Sequence, residues 1–206
     1  MCAGELALLG GRLCLNFANT ADWHASEEPV EFLTSYDQLV AWSQHVRILS
    51  SSQAQMLLSV AARCPAEATA VLERAVAVRE VIYRLFTAVA GGHPPPDSDL
   101  AALNAQLGAT LAHWGLAVRE EGFVWDWSGD EAALDRMLGP VLHDAADLLT
   151  SEALTRVGQC RDARCGWLFL DRSRNRSRRW CSMEDCGNRA KARRHYRRRR
   201  GGEPVA

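Results

Sequence analysis

Four residues lie between Cys160 and Cys165, four lie between Cys181 and Cys186, and fifteen separate the pairs, giving C-x4-C-x15-C-x4-C. Four thiolates suit a borderline-soft d¹⁰ cation, and Zn²⁺ is the natural occupant; an iron–sulfur cluster or free thiols are the alternatives. Four protein ligands leave no position open for water, so such a zinc would be structural. The spacing predicts how the pairs meet: residues 167–170 form a strand, 172–177 a polar turn and 178–181 a returning strand. Cys165 and Cys181 then sit at the open end of a hairpin, with Trp167, Phe169 and Trp180 packed over the site. Cys186 opens a helix over about 187–199, where exposed N–H groups favour a thiolate. That helix has only Ala190, Ala192 and Tyr196 as apolar content, too little to fold alone. His195, nine residues past Cys186, is carried away from the metal and is left out of the ligand set.

Positive charge crowds around this motif. The helix carries Asn188, Arg189, Lys191, Arg193, Arg194, Arg197 and Arg198, and the turn carries Arg172, Arg174, Arg176, Arg178 and Arg179. Like charges at i and i+4, as in Arg193/Arg197 and Arg194/Arg198, repel unless an anion compensates them. A nucleic-acid backbone is the polyanion that suits guanidinium forks best. Asn188 and the helix arginines could meet base edges in a major groove, with the turn on phosphates. The competing explanations are a solvated tail and an acidic protein partner, the chain's own N-terminal part included.

The whole-chain charge of −1 hides this division. Residues 1–155 hold 8 Arg and 20 carboxylates, a net −12; residues 156–206 hold 15 Arg, one Lys and 5 carboxylates, a net +11. The asymmetry implies two modules, 1–155 and 156–201. An odd count of seven cysteines argues for a reducing compartment. No apolar run is long enough for a membrane helix, and the first residues lack the basic region of a secretory signal. A cytoplasmic protein is expected.

The elements that must position the motif are mostly helical. Leu13, Leu15 and Phe17 alternate over a stretch too short to separate strand from helix. Thr34 or Ser35 caps a helix over 35–49, and the serines at 50–52 break it before a second helix over 52–63. Pro65 starts and Gly91 stops a long helix, with Val71, Ala75, Val78, Ile82, Leu85 and Val89 on its buried stripe and Glu67, Glu73, Arg74, Arg79, Glu80 and Arg84 mostly facing elsewhere. A helix over 98–112, a hairpin over 115–127 turning at 120–122, a helix from Asp130 ended or kinked by Pro140, and a segment over 141–150 complete the set. The tryptophans (23, 42, 114, 125, 127) and histidines (24, 45, 93, 113, 143) of this part are read as core filler and satisfied polar groups. A phosphate-binding glycine loop, H-E-x-x-H and G-x-S-x-G are all missing, so no enzyme is expected.

Residues 165–199, with Cys186-Gly187-Asn188-Arg189 at their centre, resemble the CGNR zinc-finger family. Residues 13–20, the helix around Trp42 and the Leu148-Leu149-Thr150-Ser151 stretch resemble the ABATE domain that precedes that finger in stress-induced transcription regulators. The resemblance implies zinc on Cys160, Cys165, Cys181 and Cys186, and DNA as partner. The helical domain is read as one that senses a ligand or dimerises. The family often has Asp where Asn16 stands. Asn16, Asn19 and Trp23 are the candidate ligand-binding residues. The expected fold is mainly α, a multihelical N-terminal domain with a small β-hairpin followed by a β-hairpin/helix finger of treble-clef type. A single finger reads too short a half-site alone, which points to a homodimer. An RNA-binding or ribosome-associated protein is the first alternative, since aromatic stacking on Trp167 or Tyr196 would suit single strands. An enzyme with a pocket in the helical part is the second.

Overall fold

Ser35 and Ser50 start the first two long helices by the same chemistry. Each side-chain oxygen accepts a backbone N–H, from Gln38 and Gln53, and Gln53 answers with its own side chain to the Ser50 N–H. A computed structural model describes residues 2–119 and 122–200, without the side chains of Arg119 and residues 197–200. Its helices are α1 (Leu13–Ala18), α2 (Tyr36–His45), α3 (Ser51–Arg63), α4 (Pro65–Ala90), α5 (Asp97–Leu111), α6 (Leu138–Thr150) and α7 (Asn188–Arg200). Its strands are β1 (Ala21–Asp22), β2 (Val30–Glu31), β3 (Trp114–Arg119), β4 (Gly122–Trp127), β5 (Val157–Gln159) and β6 (Leu168–Leu170). They pair as three separate antiparallel ladders, β1 with β2, β3 with β4 and β5 with β6. The fold is mainly α.

The ambiguous segment 13–20 is helical, and its cap comes from far away. The Asp144 carboxylate on α6 accepts from the Cys14 N–H at 2.8 Å and from Arg12 Nε at 2.9 Å. Cys14, Leu15, Phe17 and Ala18 are buried, and Phe17 packs on Trp42 with ring centroids 5.0 Å apart. Burial, helped by Asp144, pushes the Cys14 thiol well above its ordinary range.

α4 is the axis of the molecule. Val71, Ala75, Val78, Ile82 and Leu85 are buried as expected, while Val89 is half-buried. Arg79 faces inward, a correction to the expected polar face. Its guanidinium, 4% exposed, donates to Glu31 at 2.6 Å and Glu80 at 2.7 Å, which ties β2 to the helix. Glu80 also meets His24, whose ring stacks on Tyr83 at 3.6 Å.

Three further boundaries differ. α2 ends at His45, because Arg47 takes φ 63° and turns the chain into the Ser50 cap. No helix starts at Asp130: residues 131–137 are mostly turns, and Pro140 lies in the first turn of α6, where its missing N–H costs nothing. The hairpin over 114–127 is present, but the turn residues 120–121 lie outside the described residues, and Trp125 is exposed rather than core.

Candidate metal centre and basic face

β6 does not pair with residues 178–181, which are not a strand. It pairs with β5, placing Val157 opposite Leu170 and Gln159 opposite Leu168. The expected hairpin therefore has the preceding segment as its partner. Two tertiary anchors explain the choice. Asn19 on the C-terminal side of α1 acts as a peptide group: its Oδ1 accepts from the Leu168 N–H and its Nδ2 donates to the Leu168 C=O, both at 2.8 Å. The Leu170 N–H donates to the Gly10 C=O at 2.8 Å. Leu168 and Leu170 share the core of the helical body, so the finger is built onto that body.

The ladder delivers the first two cysteines. The Cys160 N–H donates to Trp167 C=O at 2.8 Å, and the Cys165 N–H donates to Asp162 C=O at 3.1 Å, closing a knuckle. Gly166 then turns with φ 71° beneath α4, where a Cβ would lie 2.7 Å from the Tyr83 hydroxyl and 2.9 Å from Ala25. Only glycine suits both the backbone angle and the space.

Residues 171–181 return the chain without a strand. Buried Asp171 accepts from the Ser173 and Arg178 N–H groups, each at 2.8 Å, and the Arg161 N–H donates to Arg179 C=O at 3.0 Å. This brings Cys181 to 3.6 Å from Cys165, sulfur to sulfur. Cys186 arrives on a π-helical turn, Met183–Gly187, that Ser182 caps through the Asp185 N–H. It lies 3.5 Å from Cys181.

All four sulfurs lie within 4.8 Å of one another and all four cysteines are buried. Arms of about 2.3 Å give a ZnS₄ tetrahedron with edges of about 3.8 Å, so the cage has the size of the ion. Leu9, Phe169, Trp167 and Trp180 pack around it. Without a cation, four buried thiols cannot all ionise. Hydrogen bonds from Cys165 and Cys181 pull Cys160 down, hydrogen bonds with Cys160 push Cys165 and Cys181 up, and burial pushes Cys186 up. A dication is what lets the remaining protons leave. The Arg189 guanidinium donates to Cys186 Sγ at 2.9 Å, a placement that offsets thiolate charge.

The twelve basic-face residues divide by what they touch. Arg189 and Arg193 both reach Asp162, at 3.0 and 2.6 Å, and Asp162 is 2% exposed at its side chain. Burial alone would raise that carboxyl, but hydrogen bonds from Arg193 and Arg189 outweigh it and hold the group below its usual range. Arg178 lies over the Phe169 ring at 4.3 Å and donates to the carbonyls of Leu9, Trp180 and Cys181. Arg172 donates to Gly11 C=O, and Asn188 to Glu184 C=O, each at 2.8 Å. Five others, Arg174, Arg176, Arg179, Lys191 and Arg194, are exposed and have no side-chain partner among the described residues. The side chains of Arg197 and Arg198 lie outside the described residues. Among the described residues, no ion pair joins a finger arginine to a carboxylate of the helical body.

The three candidate ligand residues do not converge. Asn19 is buried with both amide atoms on Leu168. Asn16 accepts from the Gly10 N–H at 2.8 Å and lines an open depression with Arg12, Arg47 and Arg172. Trp23 lies under the Arg164 guanidinium, 3.9 Å from its ring, on a cleft of about 370 Å³ shared with Asp162, Arg189, Arg193 and Tyr196. Sequence reasoning missed Asp162 and Asp171, the two buried carboxylates that hold the finger's loops. Each is the only acid in a run of arginines, and that was the available signal.

Two family models match the sequence. Residues 11–152 match ABATE, described as "Putative stress-induced transcription regulator". Residues 156–199 match the CGNR zinc finger. No curated protein matches the chain. The buried four-sulfur cage and the finger match together make this a structural zinc site.

Proposed function

The chain belongs to the ABATE family and carries a CGNR zinc finger, and we propose that it regulates transcription by binding duplex DNA through the finger's outward basic face. The observation that carries this reading is the division of the basic residues. Those facing the metal and the body are already bonded, while Arg174, Arg176, Arg179, Lys191 and Arg194 remain exposed around the zinc site. Five exposed cations without side-chain partners among the described residues, all in one small module, are a footprint for phosphates. The reading involves no catalysis and sets the protein to work in the cytoplasm, where its thiols stay reduced. A small-molecule effector would enter the cleft beside Trp23, because that cleft also touches α7.

The test is binding of the zinc-loaded chain to labelled duplex across a salt series. Alanine at the five exposed positions should abolish binding, and alanine at Lys191 and Arg194 alone should flatten the slope of log K against log salt by about two. Zinc-loaded protein that ignores every duplex in dilute buffer would overturn the reading. One observation favours RNA as the second reading: Tyr196 is 69% exposed on α7 and shares its cleft with Trp23, which offers two rings to unpaired bases. Competition between duplex DNA and single-stranded RNA at fixed salt separates the two.

A further inference from the structure

The β3–β4 hairpin turns an apolar face to solvent. In its register Trp114 opposes Trp127, Leu116 opposes Trp125 and Val118 opposes Phe123, so these six side chains share one face. None of them is charged. Leu116 is 66% exposed, Val118 74%, Phe123 79% and Trp125 49%. The opposite face carries Gly115, Ala117, Val124 and Asp126. Near the root the apolar face rests on α6 through Trp114 and Trp125, and beyond it Leu116, Val118 and Phe123 stand in solvent.

The hairpin is fixed at its root and bare towards its tip. Trp114 stacks on His143 of α6 at 5.9 Å and 7°, and a Cβ on Gly139 would collide with its indole. Trp125 reaches His143 at 5.3 Å, Trp127 Nε1 donates to Asp130 C=O at 2.9 Å, and the Ser128 N–H donates to His113 C=O at 2.8 Å. Among the described residues, no other strand pairs with either edge. A lone two-stranded ladder is marginal in water, and a patch this apolar marks an interaction surface.

We propose that this face is where two copies of the chain associate, about a two-fold axis that lays each hairpin on the other. The area argues for a second copy. Four such side chains at these exposures offer about 500 Å² per copy, so a symmetric pair covers about 1,000 Å², the size at which specific association begins. The layout is self-complementary: Leu116 and Val118 form an aliphatic row on β3, and Phe123 and Trp125 an aromatic row on β4. A two-fold axis along the strands sets one row over the other, and a single patch serves both partners. This surface lies apart from the basic face and does not depend on the nucleic-acid reading.

Light scattering during size-exclusion chromatography of the full, zinc-loaded chain tests it. Wild type should run as a dimer. Phe123→Glu should weaken association roughly 30-fold or more and run as a monomer. Both side chains are exposed in the single chain, so Phe123→Glu and Val118→Lys should keep the circular dichroism and zinc content of wild type. Amide exchange over residues 114–127 should slow as protein concentration rises. Wild type that stays monomeric up to about 100 μM, or variants that dimerise as tightly as wild type, would overturn the proposal. Either result would leave the DNA measurement unaffected.

Discussion

The helical body and the finger are stabilised by different means. The body packs Phe17, Leu39, Trp42, Leu57 and Leu142 into one core with Ile82, Leu85 and Phe86 of α4, all essentially inaccessible. The finger's own cluster has one fully buried large apolar side chain, Phe169, among four cysteines. Its ladder is three residues long, half the length of the exposed hairpin's, yet all of β6 is buried. Ladder length therefore does not decide which pair is held. The metal and the contacts lent by Asn19, Gly10 and Leu9 do.

The largest expected effect comes from removing the metal. Structural zinc contributes about 10–16 kcal/mol of apparent folding free energy in small modules, and the finger has little else. Chelation, or Cys186→Ser, should raise amide exchange across residues 160–200 by orders of magnitude while the middle of α4 stays protected. A metal-free chain that remains protected through residue 196 would show that the body alone holds the finger, and the contrast drawn here would fail.

Asn19→Ala sharpens the boundary between the regions. It removes both bonds to Leu168 and leaves a buried N–H and C=O without partners, a cost of about 2–5 kcal/mol. Urea denaturation should record that loss even with zinc saturating. Because Asn19 belongs to the body and Leu168 to the finger, a loss near zero would mean that the two are only adjacent.

A smaller effect with an opposite sign in binding is expected at Asp162. Asp162→Asn removes a buried carboxylate and releases Arg189 and Arg193, each about half exposed at the side chain. Stability should fall by about 1 kcal/mol, since solvent screens the exposed partners. Duplex affinity should rise and the salt slope steepen by about one, as Arg193 becomes free for phosphate while Arg189 keeps its bond to Cys186 Sγ. Unchanged binding would mean that α7 meets its partner through Lys191 and Arg194 alone.

What the sequence disclosed follows the range of the forces involved. The caps at Ser35 and Ser50, Pro65 at the start of α4 and the cysteine spacing are local, and they are legible in order along the chain. The segment 13–20 was ambiguous because its cap is Asp144, 130 residues away. The strand partner of β6 was misassigned because a turn-flanked run predicts its nearest neighbour, whereas Asn19 and Gly10 pin it from the body. Charge counting found the basic face but could not divide it, since Arg178, bonded to carbonyls, and Arg179, free of side-chain partners, are adjacent and identical in type. Arg79 looked solvent-facing because its partner Glu31 is 48 residues away on a two-residue strand.

Acid should separate the two regions in sequence, with the smallest step belonging to the body. On the finger, thiolates must be deprotonated to hold zinc, so falling pH releases the metal and the finger's protection goes first. On the body, burial alone would raise the Glu80 carboxyl, but hydrogen bonds from His24 and then Arg79 bring it down from 4.5 to about 2. A carboxylate with a depressed folded-state pKa contributes stability that is complete above its unfolded value and is lost as pH falls through the folded one. The body should therefore keep this contribution down to about pH 4.5 and lose it towards about pH 2. Glu80 is one-third exposed at its side chain, so the step is modest. Glu80→Gln should lower stability at neutral pH and flatten the body's dependence over that window, while the pH of zinc release stays where it was. If the substitution moved zinc release as well, the route from Glu80 through His24 and Tyr83 to Gln159, whose side chain donates to the Tyr83 hydroxyl at 3.0 Å and to Gly166 C=O at 3.1 Å, would couple the regions more tightly than their separate means of stabilisation imply.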